Sequence, residues 1–152
     1  MPVQCDIVTQ EKSVFSGEVE YVSLPGSEGR MGILPNHSAL LTTLAHGEVV
    51  VRHAGGKETY YAVGGGFAEI QPEKVIVLAD SAESADEINI ERAQEARERA
   101  EKFMAEGVPE DPDHYAQIRA SLLRAQIRID VARRRRHHTT LPTGRDMSEM
   151  EA

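Results

Sequence analysis

The sequence predicts an N-terminal β-sandwich or flattened barrel of about ten short strands, followed by an antiparallel two-helix hairpin and a mobile tail. Three observations lead there. Residues 2 to about 80 divide into short runs rich in β-branched and aromatic residues, punctuated by Gly and Pro. From Ile88 onward the apolar spacing changes from two to three and four. After His138 no period remains. The expected domains are therefore a sandwich over 1–86, a hairpin over 87–138 and a tail over 139–152.

The strand runs are "QCDIVT", "GEVEYVSLP", "GEVVVRH", "ETYYAVGGGFAEI" and "KVIVLA". Val19, Tyr21 and Ser23 alternate with Glu18, Glu20 and Val22, the period of an extended chain. Gly17, Gly26, Gly29, Gly47, Gly55, Gly56, Pro72 and Glu73 stand at expected turns. "HAGGKE" reads as a hairpin turn, because Gly55 and Gly56 accept positive φ. "VGGGF" is Gly-rich, but neither a Lys nor a helix follows it, so it fits a bulge or tight strand crossing better than a phosphate loop.

In the second half, Ile90, Ala93, Ala96, Ala100 and Phe103 form one helical stripe, which Gly107 and Pro109 end. "EDPDH" opens a second helix, with Asp111 or Asp113 as its cap. Tyr115, Ile118, Leu122, Ala125, Ile129 and Ala132 supply the facing stripe. A seam this rich in alanine lets two helices approach closely.

Composition limits what such a chain does. Acidic residues outnumber basic ones 25 to 17, for a net charge of −8, which argues against general binding to nucleic acid or anionic lipid. A single cysteine, Cys5, allows no intrachain disulfide and suits a reducing compartment. No apolar run is long enough to span a membrane, and "MPVQCDIV" does not read as a signal peptide, so membrane contact is expected only through partners. Aromatics are 5% of the chain and Trp is absent, so the core must be aliphatic.

Catalysis finds little support. The six histidines show no metal-ligand spacing, and no metal site is expected. Ser38 follows His37, but adjacent residues rarely present both groups to one reacting atom, and no GxSxG elbow is present. The most basic stretch is "ARRRRHH". Between residues 113 and 136, Arg119, Arg124, Arg128 and Arg133 to Arg136 are opposed only by Asp113 and Asp130. Such arginines can complement a helix C-terminus or dock an acidic partner. Nucleic acid ranks behind both, since no aromatic interleaves with them.

Two longer motifs resemble a known family. "FSGEVEYVSLPGSEGRMGILPNHSALLTTLAHG" is similar to the FSGxVxxVxxPGxEGxxGILPxHxPLLTxLxxG pattern of the epsilon subunit of F-type ATP synthases, and "GGGFAEIQPEKVIVLADSAE" to that family's second signature. The likeness runs from residue 3 to about 136. It implies a non-catalytic central-stalk subunit of the proton-translocating synthase, peripheral on the cytoplasmic face of the cell membrane. Such a subunit couples ion flow to ATP synthesis and inhibits hydrolysis through its C-terminal helices. The implied partners are the gamma subunit, the c-subunit ring and the alpha and beta subunits.

By the same resemblance, a loop of Glu28, Arg30, Met31, Gly32, Ile33, Leu34, Pro35, Asn36 and His37 meets gamma and the c-ring. Pro35 stiffens it, Asn36 tolerates left-handed geometry and His37 offers hydrogen bonds. Relatives often carry an acidic residue where this chain has Arg30. The hairpin is a two-state element in the family. Folded down it permits turnover; extended, it brings Arg133, Arg134, Arg135 and Arg136 to acidic beta-subunit segments. Some members bind ATP in the folded-down state through an I-D-x-x-R-A motif and two arginines four residues apart. The matching residues are Glu83, Ile88, Asn89, Arg92, Ala93, Arg124 and Arg128, with Asn89 replacing the Asp. Weak ATP binding at most is expected, and no cofactor is required. A free-standing nucleotide-sensing module is the second reading, and an enzyme using Ser38 and His37 the third.

Overall fold

The computed structural model describes residues 1–107 and 111–140, with side chains as far as Arg135. Eight strands precede two helices: β1 Val3–Val8, β2 Ser13–Val19, β3 Tyr21–Gly26, β4 Gly29–Ile33, β5 Leu40–Arg52, β6 Glu58–Ile70, β7 Lys74–Ala79 and β8 Ala82–Ser84. A 3₁₀ turn, Ala85–Glu87, leads into α1 (Ile90–Ala105) and α2 (Pro112–Thr140). The strands are ordered β2-β1-β7-β6-β5-β3-β4, with β8 also on β6. All pairs are antiparallel except β1 with β7, where Cys5 faces Val75.

The expected order of strands, then hairpin, is borne out, with eight strands where about ten were expected. The count falls because β5 and β6 each run unbroken for 13 residues. Their hairpin turn is the "HAGGKE" segment, with Gly55 and Gly56 both at φ 87. The run "GEVEYVSLP", by contrast, breaks at Glu20 into β2 and β3. Two expected turn glycines lie inside strands instead. Gly17 pairs with Cys5 within β2. Gly47 lies mid-β5, where a Cβ would come within 2.6 Å of the Pro25 ring, so a close approach rather than a turn requires glycine.

"VGGGF" is the crossing point of β6. Its first half pairs with β8 and its second with β7. Gly65 and Gly66 take φ of 81 and 114, and a Cβ on Gly66 would stand 2.1 Å from the Leu78 carbonyl oxygen. The core between the layers is aliphatic, as the composition requires: Ile7, Leu24, Ile33, Val49, Ile70 and Val77 are fully buried.

Asn89 caps α1, its Oδ1 accepting from the Arg92 backbone N–H at 3.1 Å. Asp111 rather than Asp113 caps α2, with Oδ1 accepting from the Asp113 N–H at 3.0 Å and Pro112 in the first turn. The helix continues to Thr140, two residues into the expected tail; Pro109 and residues 141–152 lie outside the described residues. Ala93 and Ala100 of α1 and Ile118, Ala125 and Ile129 of α2 are buried in the predicted seam. Phe103 departs from it, and so do Ile90 and Ala132, which pack toward the sandwich. Phe103 sits beside the turn that joins the helices, half exposed, edge-on to His114.

A second apolar face of α2 positions the hairpin. Ile127, Val131 and Ala132 pack on Val50, Tyr60 and Ala62 of β5 and β6, together with Ala85, Ile88 and Ile90. The hairpin therefore lies folded down on the outer face of the sandwich, a choice its sequence left open.

Candidate functional site

The segment from Glu28 to His37 is half strand and half turn. Gly29–Ile33 is edge strand β4, because Gly26 and Gly29 pair across a tight turn at Ser27 and Glu28. Alternation along β4 then separates the residues that a loop would group. Ile33 is buried in the core and Met31 packs against it. Gly32 lies under Tyr21, whose hydroxyl is 2.6 Å from where a Cβ would be. Arg30 turns along the outer face, donating to Ser23 Oγ (Nη2, 2.8 Å) and to the Glu48 carbonyl (2.8 Å).

Glu28, Leu34 and Asn36 remain exposed. Asn36 takes the expected left-handed conformation, φ 65, and its N–H donates to the Pro72 carbonyl at 2.8 Å. That bond ties the Pro35 turn to the β6–β7 connection. His37 Nδ1 is 2.7 Å from the Ser38 backbone oxygen, not its hydroxyl, so the geometry provides no nucleophile–base pair.

Beside this turn lies a feature that the sequence reading missed. Leu41 of β5, Phe67 of β6 and Leu78 of β7 are 71%, 51% and 49% exposed. Phe67 is opposite both Thr43 and Leu78, and Leu41 is two residues before Thr43 on the same face. These side chains form an apolar strip across three strands. The available signal was the pair Leu40-Leu41, since adjacent strand residues cannot both face the core.

A cleft of ≈450 Å³ opens between the sandwich and α2. Lys12, Gly64, Ser81, Glu83, Arg124 and Arg128 line it. Arg128 grips Glu83 with two bonds, Nε to Oε2 at 2.7 Å and Nη2 to Oε1 at 3.2 Å. Lys12 is 3.8 Å from Glu87. Of the residues matching the nucleotide motif, the fold brings Glu83, Arg124 and Arg128 together here. Ile88 and Ala93 are buried in packing, while Asn89 and Arg92 form the start of α1 and do not line the cleft.

The arginines ending α2 are largely engaged. Arg134 Nη1 donates to Glu48 Oε1 at 2.7 Å, and Arg135 pairs with Asp86. Arg133 is exposed, and the side chain of Arg136 lies outside the described residues. Burial pushes the Glu48 carboxyl above the ordinary carboxylate range, against the opposing pull of Arg134 and Arg30. Among the described residues, no group of His, Cys, Asp and Glu is placed to hold a metal, and no helix is long and apolar enough to cross a membrane.

An apolar strip and an exposed turn on one part, with a pinned basic helix on the other, define a docking and regulatory module. Comparison with known proteins gives it a place. Residues 2–85 match the β-sandwich domain of the ATP synthase delta/epsilon chain, and residues 86–133 match that chain's long α-helix domain. The chain belongs to the ATP synthase delta/epsilon family, and it is a non-catalytic subunit with a coupling and regulatory role.

The ATP synthase epsilon chain of Dehalococcoides mccartyi is 49% identical over 142 residues, covering 90% of this chain and 96% of that one. The epsilon chain of Herpetosiphon aurantiacus is 46% identical over 138 residues, covering 90% and 98%. A chain in the Euglena gracilis mitochondrial ATP synthase structure, OSCP/F1/c-ring, shares the fold with a TM-score of 0.62 and 23% identity, over 91% of this chain and 81% of that one.

Proposed function

We propose that this subunit occupies the central stalk of a proton-translocating ATP synthase, peripheral on the cytoplasmic face of the cell membrane. Its sandwich, residues 1–86, docks on gamma and the c-ring, and its hairpin, 87–138, restrains hydrolysis at the alpha and beta subunits. The observation that supports docking is the exposed strip of Leu41, Phe67 and Leu78 on adjacent strands β5, β6 and β7. An apolar strip of this kind, rimmed by polar groups, suits a permanent protein contact. Substituting Phe67→Glu and Leu41→Glu in the full chain should reduce its co-purification with gamma at least tenfold, on the order expected for lost anchor residues. Undiminished co-purification would overturn this assignment of the gamma surface.

The folded-down hairpin corresponds to the permissive state. Arg134 and Arg135 are paired with the sandwich there, so extension of α2 would release them, with Arg133 and Arg136, to acidic beta segments. Changing Arg133 to Arg136 to Ala should relieve inhibition in the assembled complex; unchanged hydrolysis counts against that role.

A further inference from the structure

Arg30, Glu48 and Arg134 come from three elements, β4, β5 and α2, and line one groove of ≈910 Å³ under the end of α2. The side chain of Glu48 is only 11% exposed. The other charged or titratable groups facing that groove are Glu58 and Tyr60 of β6 and Asp130 and Arg133 of α2. Both remaining carboxylates are committed elsewhere: Glu58 accepts from Arg52 and Tyr60, and Asp130 accepts from Gln126. Arg30 is fixed before α2 arrives. It makes two bonds to Ser23 Oγ, at 3.1 and 2.8 Å, and one to the Glu48 carbonyl.

We propose that Arg30, Glu48 and Arg134 form a latch: the Glu48 carboxylate, paired with Arg134 and flanked by Arg30, whose guanidinium bonds the Glu48 backbone carbonyl, holds the end of α2 on the sandwich. Glu48 alone is a poor anchor, since a largely buried carboxylate is costly unless paired. Arg30 places a positive charge beside it from within the sandwich, and Arg134 pairs with it directly when α2 docks. Because Arg30 lies on the same strand as Gly29, beside the exposed Glu28 turn, the latch links the surface proposed for the rotor to the release of the regulatory helix. This deepens the proposed function and takes its physiological meaning from that reading. The latch itself is a property of the isolated chain.

Hydrogen–deuterium exchange on the isolated full-length chain tests it, read over residues 125–135, with β1 as the reference for an intact sandwich. Arg134→Glu should speed exchange over 125–135 by about tenfold, and Arg30→Glu by about fivefold although Arg30 has no bond to α2. Glu48→Gln alone should change it less than about twofold, because it removes the pair and the buried charge together. In the Glu48→Gln background, both arginine reversals should lose most of their effect. Equal effects of Arg134→Glu with and without Glu48, or unchanged exchange in Arg30→Glu, would overturn the latch. Should a reversal loosen β1, the neutral Arg30→Gln and Arg134→Gln replace it and must show the same dependence on Glu48. Hydrolysis by the assembled complex separates the two ideas. If exchange rises as expected while inhibition stays constant, the latch stands and the inhibitory role of the arginines falls.

Discussion

The sandwich and the hairpin are held by different forces. The sandwich buries Ile7, Leu24, Ile33, Val49, Ile70 and Val77 completely, between strands that pair along their length. In the hairpin seam, alanines such as Ala93, Ala100 and Ala125 bury little surface each, at roughly 25 cal/mol per Å². Among the described residues, its attachment to the sandwich includes one small cluster and three peripheral pairs: Arg128 with Glu83, Arg134 with Glu48, and Arg135 with Asp86. Ion pairs near the surface contribute only about 0–1 kcal/mol each and weaken with salt, and of the three only the Arg134 pair has a largely buried partner, Glu48. One region is built to keep its shape under torque. The other can let go at a cost of a few kcal/mol, the range in which a two-state element responds to a partner.

The comparison breaks most readily at the core. Ile70→Ala, at a fully buried site where β6 meets β5 and β7, should cost about 2–5 kcal/mol in global stability by denaturant unfolding. Little loss there would mean that the sandwich is not the rigid partner. The seam should give next. Ala125→Leu forces a larger side chain between α1 and α2, at a cost of about 1–3 kcal/mol. Exchange should rise along both helices while β1 stays protected; loss of protection throughout would make the two regions one cooperative unit.

Acidity should separate the regions by sign. In the sandwich, hydrogen bonds from Ser16 (2.6 Å) and Gln4, with Lys74 nearby, hold the Asp6 carboxyl below its ordinary range. Its contribution is present above the unfolded pKa and is lost as pH falls through the folded one. The Glu48 carboxyl is raised by burial, so its contribution is present below the unfolded pKa and is lost as pH rises through the folded one. Mild acid should therefore draw stability from the Asp6 contacts of β1 and β2 and none from Glu48. Resonances of the two carboxyls followed against pH check this, and shifts in the same direction would refute it.

The smallest effect is expected where the regions meet at the cleft. Arg128 is neutralised by Glu83 and Lys12 faces Glu87, so only Arg124 is at hand for phosphate among the cleft's cations. Asn89 is engaged as a helix cap, and an Asp there would serve the same bond. Calorimetry of the isolated chain with ATP should therefore show weak binding or none. Low-micromolar affinity would mean that the cleft rearranges.

Much of this was legible in the sequence, and the misses share a cause. The "ETYYAVGGGFAEI" run, the Gly55-Gly56 turn and the alanine seam follow from local rules, and the fold obeys them. What the sequence hid depends on which elements face one another. Arg30 read as a loop charge until β4 proved to be a strand, whose alternation places it beside Ser23 and Glu48. Gly47 read as a turn because nothing local says that Pro25 passes over it. The stripe in α2 was found, but a helix lying between a partner helix and a sheet has two apolar faces, and Ile127 and Val131 belong to the second. Phe67 and Leu78 carry no local mark of exposure, because apolar strand residues usually lie in the core.

The parallel pairing of β1 with β7 sets an order of events during synthesis. Cys5 and Val75 are partners, about 70 residues apart in the chain. At about 5–20 residues per second, the ribosome makes β1 roughly 4–14 s before β7 exists. Through that interval β1 has only β2 beside it, reached by a short antiparallel turn, and its other edge is open. The nascent chain thus carries an unpaired edge for seconds, the exposure that invites wrong partners. Once β7 is made it fills that edge, and it does so before most of the basic helix has been translated. The order of synthesis thereby favours a finished docking platform ahead of the arginines that it will hold.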